Sequence, residues 1–390
     1  MDIDTLRRPF DEAAPLTVGI EEELMLLDSE TLELAPRATE VMRAVDGDAR
    51  FKLELPAAQI EILTAPAATV ADAIAQLRAA RERLAGAASG LGLRIAGAGA
   101  HPFSSPLGEL NGGSRYDRTR ADFGIVAEAQ LLCGLHVHVA LGSADATIAV
   151  HDALRSRLPE LAALAAAAPW YAGRDTGLAS VRPEIAALLP RQGVPPALGS
   201  ITAFAEELGW GATAQTLPDP RRWWWELRPH PAHGTLEVRV CDTQPDTRDT
   251  AALAAVVHAL VADLGARHRA GELPPPAATW RITENRWSAC RAGVHGAMAD
   301  LDSGRREPTA ERLARLLDEL APTARQLGCE GELDAARALL REGGDASRQR
   351  LVGADRGARG LTSWLAERFV PAPPRPPRTA ARQPAEHGAW

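Results

Sequence analysis

The chain has 390 residues, 46% of them apolar and 24% charged, the balance of a globular protein with a sizeable core. Its net charge of −8 excludes an overall positive field that would gather nucleic acid or an anionic membrane. Four cysteines without paired spacing (Cys133, Cys241, Cys290, Cys329), an acidic N-terminus without a signal-peptide core and the lack of an obvious membrane-spanning run indicate a cytoplasmic protein with neither disulfide framework nor structural zinc.

Apolar periodicity alternates between strand-like and helix-like stretches. Thr17–Asp28 reads as a strand and Phe51–Thr64 as a second, interrupted at Pro56. A helix is expected from Val70 to Leu84, with Thr69 and Asp72 as its N-terminal cap. Leu93–Gly97 is a short strand leading into GAGAHPF, Asp122–Leu132 has helical character, and Cys133–Leu141 alternates cleanly as a strand. Ala146–Ala168 reads as a helix broken near Pro159. Arg174–Pro220, rich in Pro and Gly, is long for a connection and reads as a functional loop region with short helices. Trp223–Arg228 and Thr235–Asp242 are expected as two strands joined by PHPAHG. Four helices follow, at Thr250–Leu264, Thr283–Met298, Thr309–Leu320 and Leu333–Arg341. The expected organisation is one α+β domain over residues 1–370 and a Pro/Arg-rich, disordered tail over 371–390.

Strand side chains alternate between two faces. Glu21 and Glu23 therefore share a face opposite Ile20, Glu22 and Leu24. His136 and His138 lie opposite Leu135, Val137 and Val139, and Glu237 and Arg239 lie opposite Leu236, Val238 and Val240. Glu54 and Glu61 stand an odd number apart, but a break at Pro56 can return both to one face. Each pair alone suits a solvated face, a core histidine or a surface ion-pair ladder. Together they suggest a buried carboxylate cluster, whose charges repel unless cations bridge them. Carboxylates with one or two imidazoles suit Mg²⁺ or Mn²⁺ better than zinc. The only lysine is Lys52, so phosphate contacts fall to arginine, metal or backbone. No GxGxxG, P-loop, GxSxG or HExxH motif competes.

In order and spacing, GIEEELMLLD, ELPAAQIEILT, GAGAHPF, CGLHVHVAL, GRDTGLASVR, WWWELRPHPAHGTLEVRVCD and ENRWSACRAGV resemble the carboxylate–amine ligases related to glutamate–cysteine ligase type 2. The resemblance implies a glutamine-synthetase-like fold, a curved, mainly antiparallel sheet with helices on its outer face. It also implies ATP- and Mg²⁺-dependent amide formation through an acyl phosphate, from small-molecule amino acid and amine substrates. Glutamate plus cysteine is the reference pair, and a homodimer the expected assembly. By motif position Glu21, Glu54, Glu61, His136 and Glu237 would be metal ligands, with Glu23 a candidate base. Arg239 would contact the transferred phosphate, and His138 would lie nearer the nucleotide. Arg182 and Arg228 would be phosphate or carboxylate contacts. Phe51–Gln59 departs from the family by being more apolar, which bears on the pocket beside Glu54. Other acid–amine pairs, and a nucleotide-binding regulator without turnover, remain compatible with these motifs.

Overall fold

A computed structural model describes residues 2–370 except Pro218, Pro220 and Arg221; the expected tail lies outside the described residues. Its centre is a seven-stranded sheet of β1 (Val18–Asp28), β2 (Phe51–Leu53), β3 (Gln59–Leu63), β4 (Leu93–Ala96), β5 (Gly134–Ala140), β6 (Leu227–His230) and β7 (Thr235–Asp242). The strand order is β2-β3-β1-β5-β7-β6, with β4 paired to the far end of β1, and every pairing is antiparallel. The expected α+β class and mainly antiparallel sheet are what the structure shows.

One face of this sheet is apolar and the other polar. Ile20, Leu24, Ile60, Ile62, Val137, Val139, Leu236 and Val238 belong to one continuous buried core with the helices behind them. Those helices include α1 (Val70–Ser89), α3 (Leu158–Ala165), α4 (Thr247–Ala270) and α5 (Thr279–Ala292), while α2 (Ser114–Phe123) lies outside this core. Thr69 caps α1 by accepting from the Asp72 amide, as its spacing predicts. Asp246 caps α4 in the same way, and Gly271 ends it in the left-handed region at φ 73°. By length and hydropathy α4 would cross a membrane, contrary to the reading of the sequence. Yet 89% of its apolar window is buried, which marks it as the central core helix. All four cysteines are buried and free.

Other differences from the sequence reading are local. Phe51–Thr64 is not one broken strand: Phe51 pairs with Ile62 and Leu53 with Ile60, so Leu55–Ala58 reverses the chain. Trp223–Glu226 lies outside the sheet, and β6 starts only at Leu227. Ile3–Glu12, Ala38–Ala44 and α6 (Gly344–Phe369, broken at Gly357) are helices the periodicity did not reveal. GAGAH is a packing turn: a Cβ on Gly97 would stand 2.5 Å from the Gln244 carbonyl, and one on Gly99 would strike Asp242. His101 closes it, with Nε2 on the Leu32 carbonyl at 2.9 Å and Nδ1 accepting from the Ser104 amide at 2.8 Å.

Glu22, pointing into the core between Glu21 and Glu23, is fully buried. Arg81 of α1 meets it with Nε on Oε2 at 2.8 Å and Nη2 on Oε1, and Thr250 of α4 donates at 3.1 Å. The remaining Arg81 donors reach the carbonyls of Gln244, Pro245 and Phe369, and its guanidinium lies over the Phe369 ring. Removing one partner of such a pair leaves a buried charge uncompensated. Arg81→Met is therefore expected to lower unfolding free energy by about 3–5 kcal/mol in urea titrations. The double variant Glu22→Leu/Arg81→Met should recover a large part of that loss.

Candidate active site

Antiparallel register assembles the polar face. Directly opposed residues project to the same side. Glu23 pairs with Glu61, Glu21 with His136, His138 with Glu237, and Glu237 with Arg228. The β5–β7 register slips between Leu135 and Val137, where two steps on β5 span three on β7. Such a bulge re-aims a side chain. Arg239, inside it, turns its guanidinium to Glu237 and, at 3.3 Å, to His136. Glu54 arrives from the β2–β3 connection, held where Asn111 donates to its carbonyl at 2.7 Å.

The result is a dense acidic cluster around two imidazoles. His136 lies within 4.0 Å of Glu21, Glu23, Glu61 and Glu237, and His138 within 3.9 Å of Glu21 and Glu237. Three groups each bring ligand atoms within 4.8 Å of one another: Glu21–His138–Glu237, Glu21–Glu61–His136 and Glu23–Glu54–Glu61. All five residues expected from the sequence as metal ligands stand here. Glu23 and His138, to which the resemblance gave other roles, stand among them.

Electrostatics fit a divalent cation at this position. Burial and the neighbouring Glu54 push the Glu23 carboxyl up to about 7, although the Gly134 amide donates to it. Burial and then Glu54, Glu21 and Glu23 push Glu61 well above its ordinary range, and burial raises Glu54 against the pull of Arg115. Burial and Arg239 lower His136 to about 4, so its imidazole is neutral at pH 7 and can act as a ligand. The buried His138 Nε2 has no hydrogen-bond partner among the described residues. A carboxylate cluster that repels itself, with an orphaned imidazole nitrogen beside it, suits Mg²⁺ or Mn²⁺.

Three of the expected arginines are already engaged. Glu237 would be raised by burial, but Arg228 and Arg239 hold it well below the ordinary range. Arg228 also donates to the Trp223 carbonyl at 3.0 Å. Arg182 holds Asp242 at 2.8 Å and the carbonyls of Arg239 and Cys241, so it braces β7 while bordering the site. Beside the cluster opens a cavity of about 570 Å³, walled by Glu23, Glu54 and Arg239, by Pro183–Gly193 residues and by α2. Part of the Arg174–Pro220 stretch, expected as a functional loop region, thus borders the cavity.

Sequence reasoning missed α2, which has no buried residue and so no apolar periodicity. It also missed Glu226, a wall residue gripped by Arg286 of the ENRWSACRAGV segment at 2.7 Å. An Arg within a recognised motif was the available signal.

The family model described as Glutamate-cysteine ligase family 2 matches residues 17–362. A Rubrobacter xylanophilus protein called "Putative glutamate--cysteine ligase 2-3" is 38% identical over 365 residues, 92% of this chain and 98% of its own. A Thermobifida fusca protein called "Putative glutamate--cysteine ligase 2" is 33% identical over 350 residues, 88% of each chain. The solved glutamate–cysteine ligase of Francisella tularensis in complex with AMP superposes with a TM-score of 0.68 at 14% identity, over 91% of this chain and 89% of that one. A bifunctional glutathione synthetase of Pasteurella multocida gives 0.66 at 14% identity, over 94% and 53%. At that identity the structural likeness concerns the fold alone.

Folded Glu23 and Glu61 hold protons more tightly than an unfolded glutamate, which titrates near 4.5. Glu23 and Glu61 therefore contribute stability to the cation-free protein that is lost as pH rises from about 4.5 toward 7, against the opposite contribution of His136, whose lowered value favours the folded state as pH rises from about 4 to 6.5. A bound cation competes with the same protons. Thermal melts in EDTA and in excess Mg²⁺ should diverge progressively across that window, and Mn²⁺ affinity should rise with pH.

Proposed function

The chain belongs to the glutamate–cysteine ligase family 2, and from that premise we propose that it is an ATP-dependent carboxylate–amine ligase with this polar face as its active site. The observation that carries the reading is the convergence of Glu21, Glu23, Glu54, Glu61, Glu237, His136 and His138 beside Arg239 at one cavity. The carboxylates and His136 would hold the metal, with His138 a further donor facing Glu21 and Glu237. Bound Mg²⁺ and ATP would supply charge neutralisation at the phosphates and the phosphoryl group that activates a carboxylate as its acyl phosphate.

The protein's own groups divide the remaining work. Arg239 presents a guanidinium toward the cavity, placed to stabilise charge gathering on a transferring phosphoryl group in a chain without a P-loop. Glu23, with its carboxyl near 7 and its oxygen on the Gly134 amide, is tuned to take a proton from an incoming amine at neutral pH. Any ligand sharing Glu23 with a cation would lower that carboxyl again, so base and ligand are competing roles for it. Pro183–Gly193 residues and α2 wall the cavity and restrict water.

We assign glutamate and cysteine as the reference substrates. A second pair is favoured by the apolar part of the cavity lining, Leu55 and Pro56 next to Glu54 together with Leu132 and Leu189. A panel of acids and amines, read by ADP release and product mass, separates the two. Glutamate and cysteine without ADP, while another pair yields it, would remove the reference reaction. No ADP with any pair would remove the ligase reading.

Glu54→Ala and Glu237→Ala are each expected to cut substrate-dependent ADP release at least about a hundredfold, with circular dichroism unchanged for Glu54→Ala and a lowered melting temperature for Glu237→Ala, which leaves Arg228 and Arg239 without their buried partner. Because His136 faces four carboxylates and His138 two, His136→Ala should weaken Mn²⁺ binding more than His138→Ala. A titration giving the reverse order would exchange their roles.

A further inference from the structure

Among the described residues five arginines line the cavity: Arg115, Arg118, Arg182, Arg222 and Arg239. Three are spoken for. Arg182 is paired with Asp242, Arg239 with Glu237, and Arg222 with Asp122 at 2.8 Å. Among the described residues Arg115 and Arg118 have neither an ion pair nor a side-chain hydrogen bond; Arg115 lies 5.5 Å from the Tyr116 ring centroid and acts on Glu54 through its charge alone.

Both stand on α2, and their spacing is informative. Arg115, Arg118, Thr119 and Asp122 follow i, i+3, i+4, i+7, which is one face of a helix. The first three line the cavity, and Asp122 meets Arg222 on its wall. That face therefore borders the cavity, with Arg115 and Arg118 themselves reachable by solvent, whereas Asp117 and Arg120 lie off the cavity and meet each other at 3.9 Å. Tyr116 pins the helix by donating to the Leu53 carbonyl at 2.7 Å, and Phe123 packs edge-on against Trp224. Gly113 (φ 120°) precedes the helix and Gly124 (φ 56°) follows it, conformations that favour glycine.

We propose that Arg115 and Arg118 are anion-recognition residues, which receive a multi-oxygen anionic group of a substrate bound in the cavity. The group is either a nucleotide phosphate or a carboxylate of the acid other than the one activated. Two guanidiniums one helical turn apart, without internal partners, suit forked hydrogen bonds to such oxygens. The nature of the anion rests on the ligase reading; the presence of an anion site does not.

The test is titration calorimetry on the full chain with two probes, Mg·ADP and L-glutamate. It compares wild type, Arg115→Gln/Arg118→Gln and, as control on the solvent face of the same helix, Arg120→Gln. Thermal melts confirm that each variant folds. The double variant is expected to bind one probe about tenfold or more weakly, with Arg120→Gln unchanged. Loss confined to Mg·ADP identifies the group as phosphate, and loss confined to glutamate identifies it as carboxylate. Unchanged affinity for both probes would overturn the proposal, as would equal loss in Arg120→Gln. A wild type that binds Mg·ADP but turns over no substrate pair would sink the ligase reading alone, leaving the arginine result legible. A wild type that binds neither probe would remove both.

Discussion

Three consecutive glutamates on β1 place a constraint on everything around them. Strand geometry sends Glu21 and Glu23 to the polar face and Glu22 into the apolar core. A buried carboxylate is tolerable only if its charge and lone pairs are met, and Arg81 and Thr250 meet them. Arg81 comes from α1 and Thr250 from α4, and the same guanidinium holds carbonyls next to β7 and at the end of α6. One ion pair thereby ties the back of the central strand to three helices. Rigidity on the core side sets the positions of the two carboxylates on the opposite side.

The polar face has the reverse problem, too many like charges in too little solvent. Burial and Glu54 raise the affinity of Glu23 and Glu61 for protons, whereas Glu237 carries two arginines. The site is thus divided into an underneutralised side, open to a cation, and a side already compensated by Arg228 and Arg239. This asymmetry lies beside the cavity, and in the proposed ligase a phosphate-bearing ligand would meet it with its cations held by Glu23, Glu54 and Glu61 and its charge met by Arg239. Arginine does this work because the single lysine, Lys52, lies opposite Glu61 at the sheet edge.

Much of the site was legible from alternation alone. Glu21/Glu23, His136/His138 and Glu237/Arg239 are spaced two apart on strands whose other face is apolar, and period 2 needs no tertiary information. Glu54 was harder, since parity opposed it to Glu61. The resolution, a hairpin reversal at Leu55–Ala58, depends on β2 pairing with β3. Arg182 and Arg228 were recognised as charges near the site, but pairing with Asp242 and Glu237 was invisible because those partners are distant or cross-strand. Helix α2 escaped for a plain reason: a helix that buries nothing carries no apolar stripe.

Composition, strand alternation and motif order therefore determined the class of the protein, the residues of its acidic face and the family they belong to. These are properties of nearest neighbours and of linear spacing. The tertiary structure alone decided which of those residues meet, which arginines are consumed by internal partners and which two remain to face the cavity. The partners of a charged group lie as far as 288 residues along the chain, as the Phe369 carbonyl does from Arg81, and only the folded chain sets those distances.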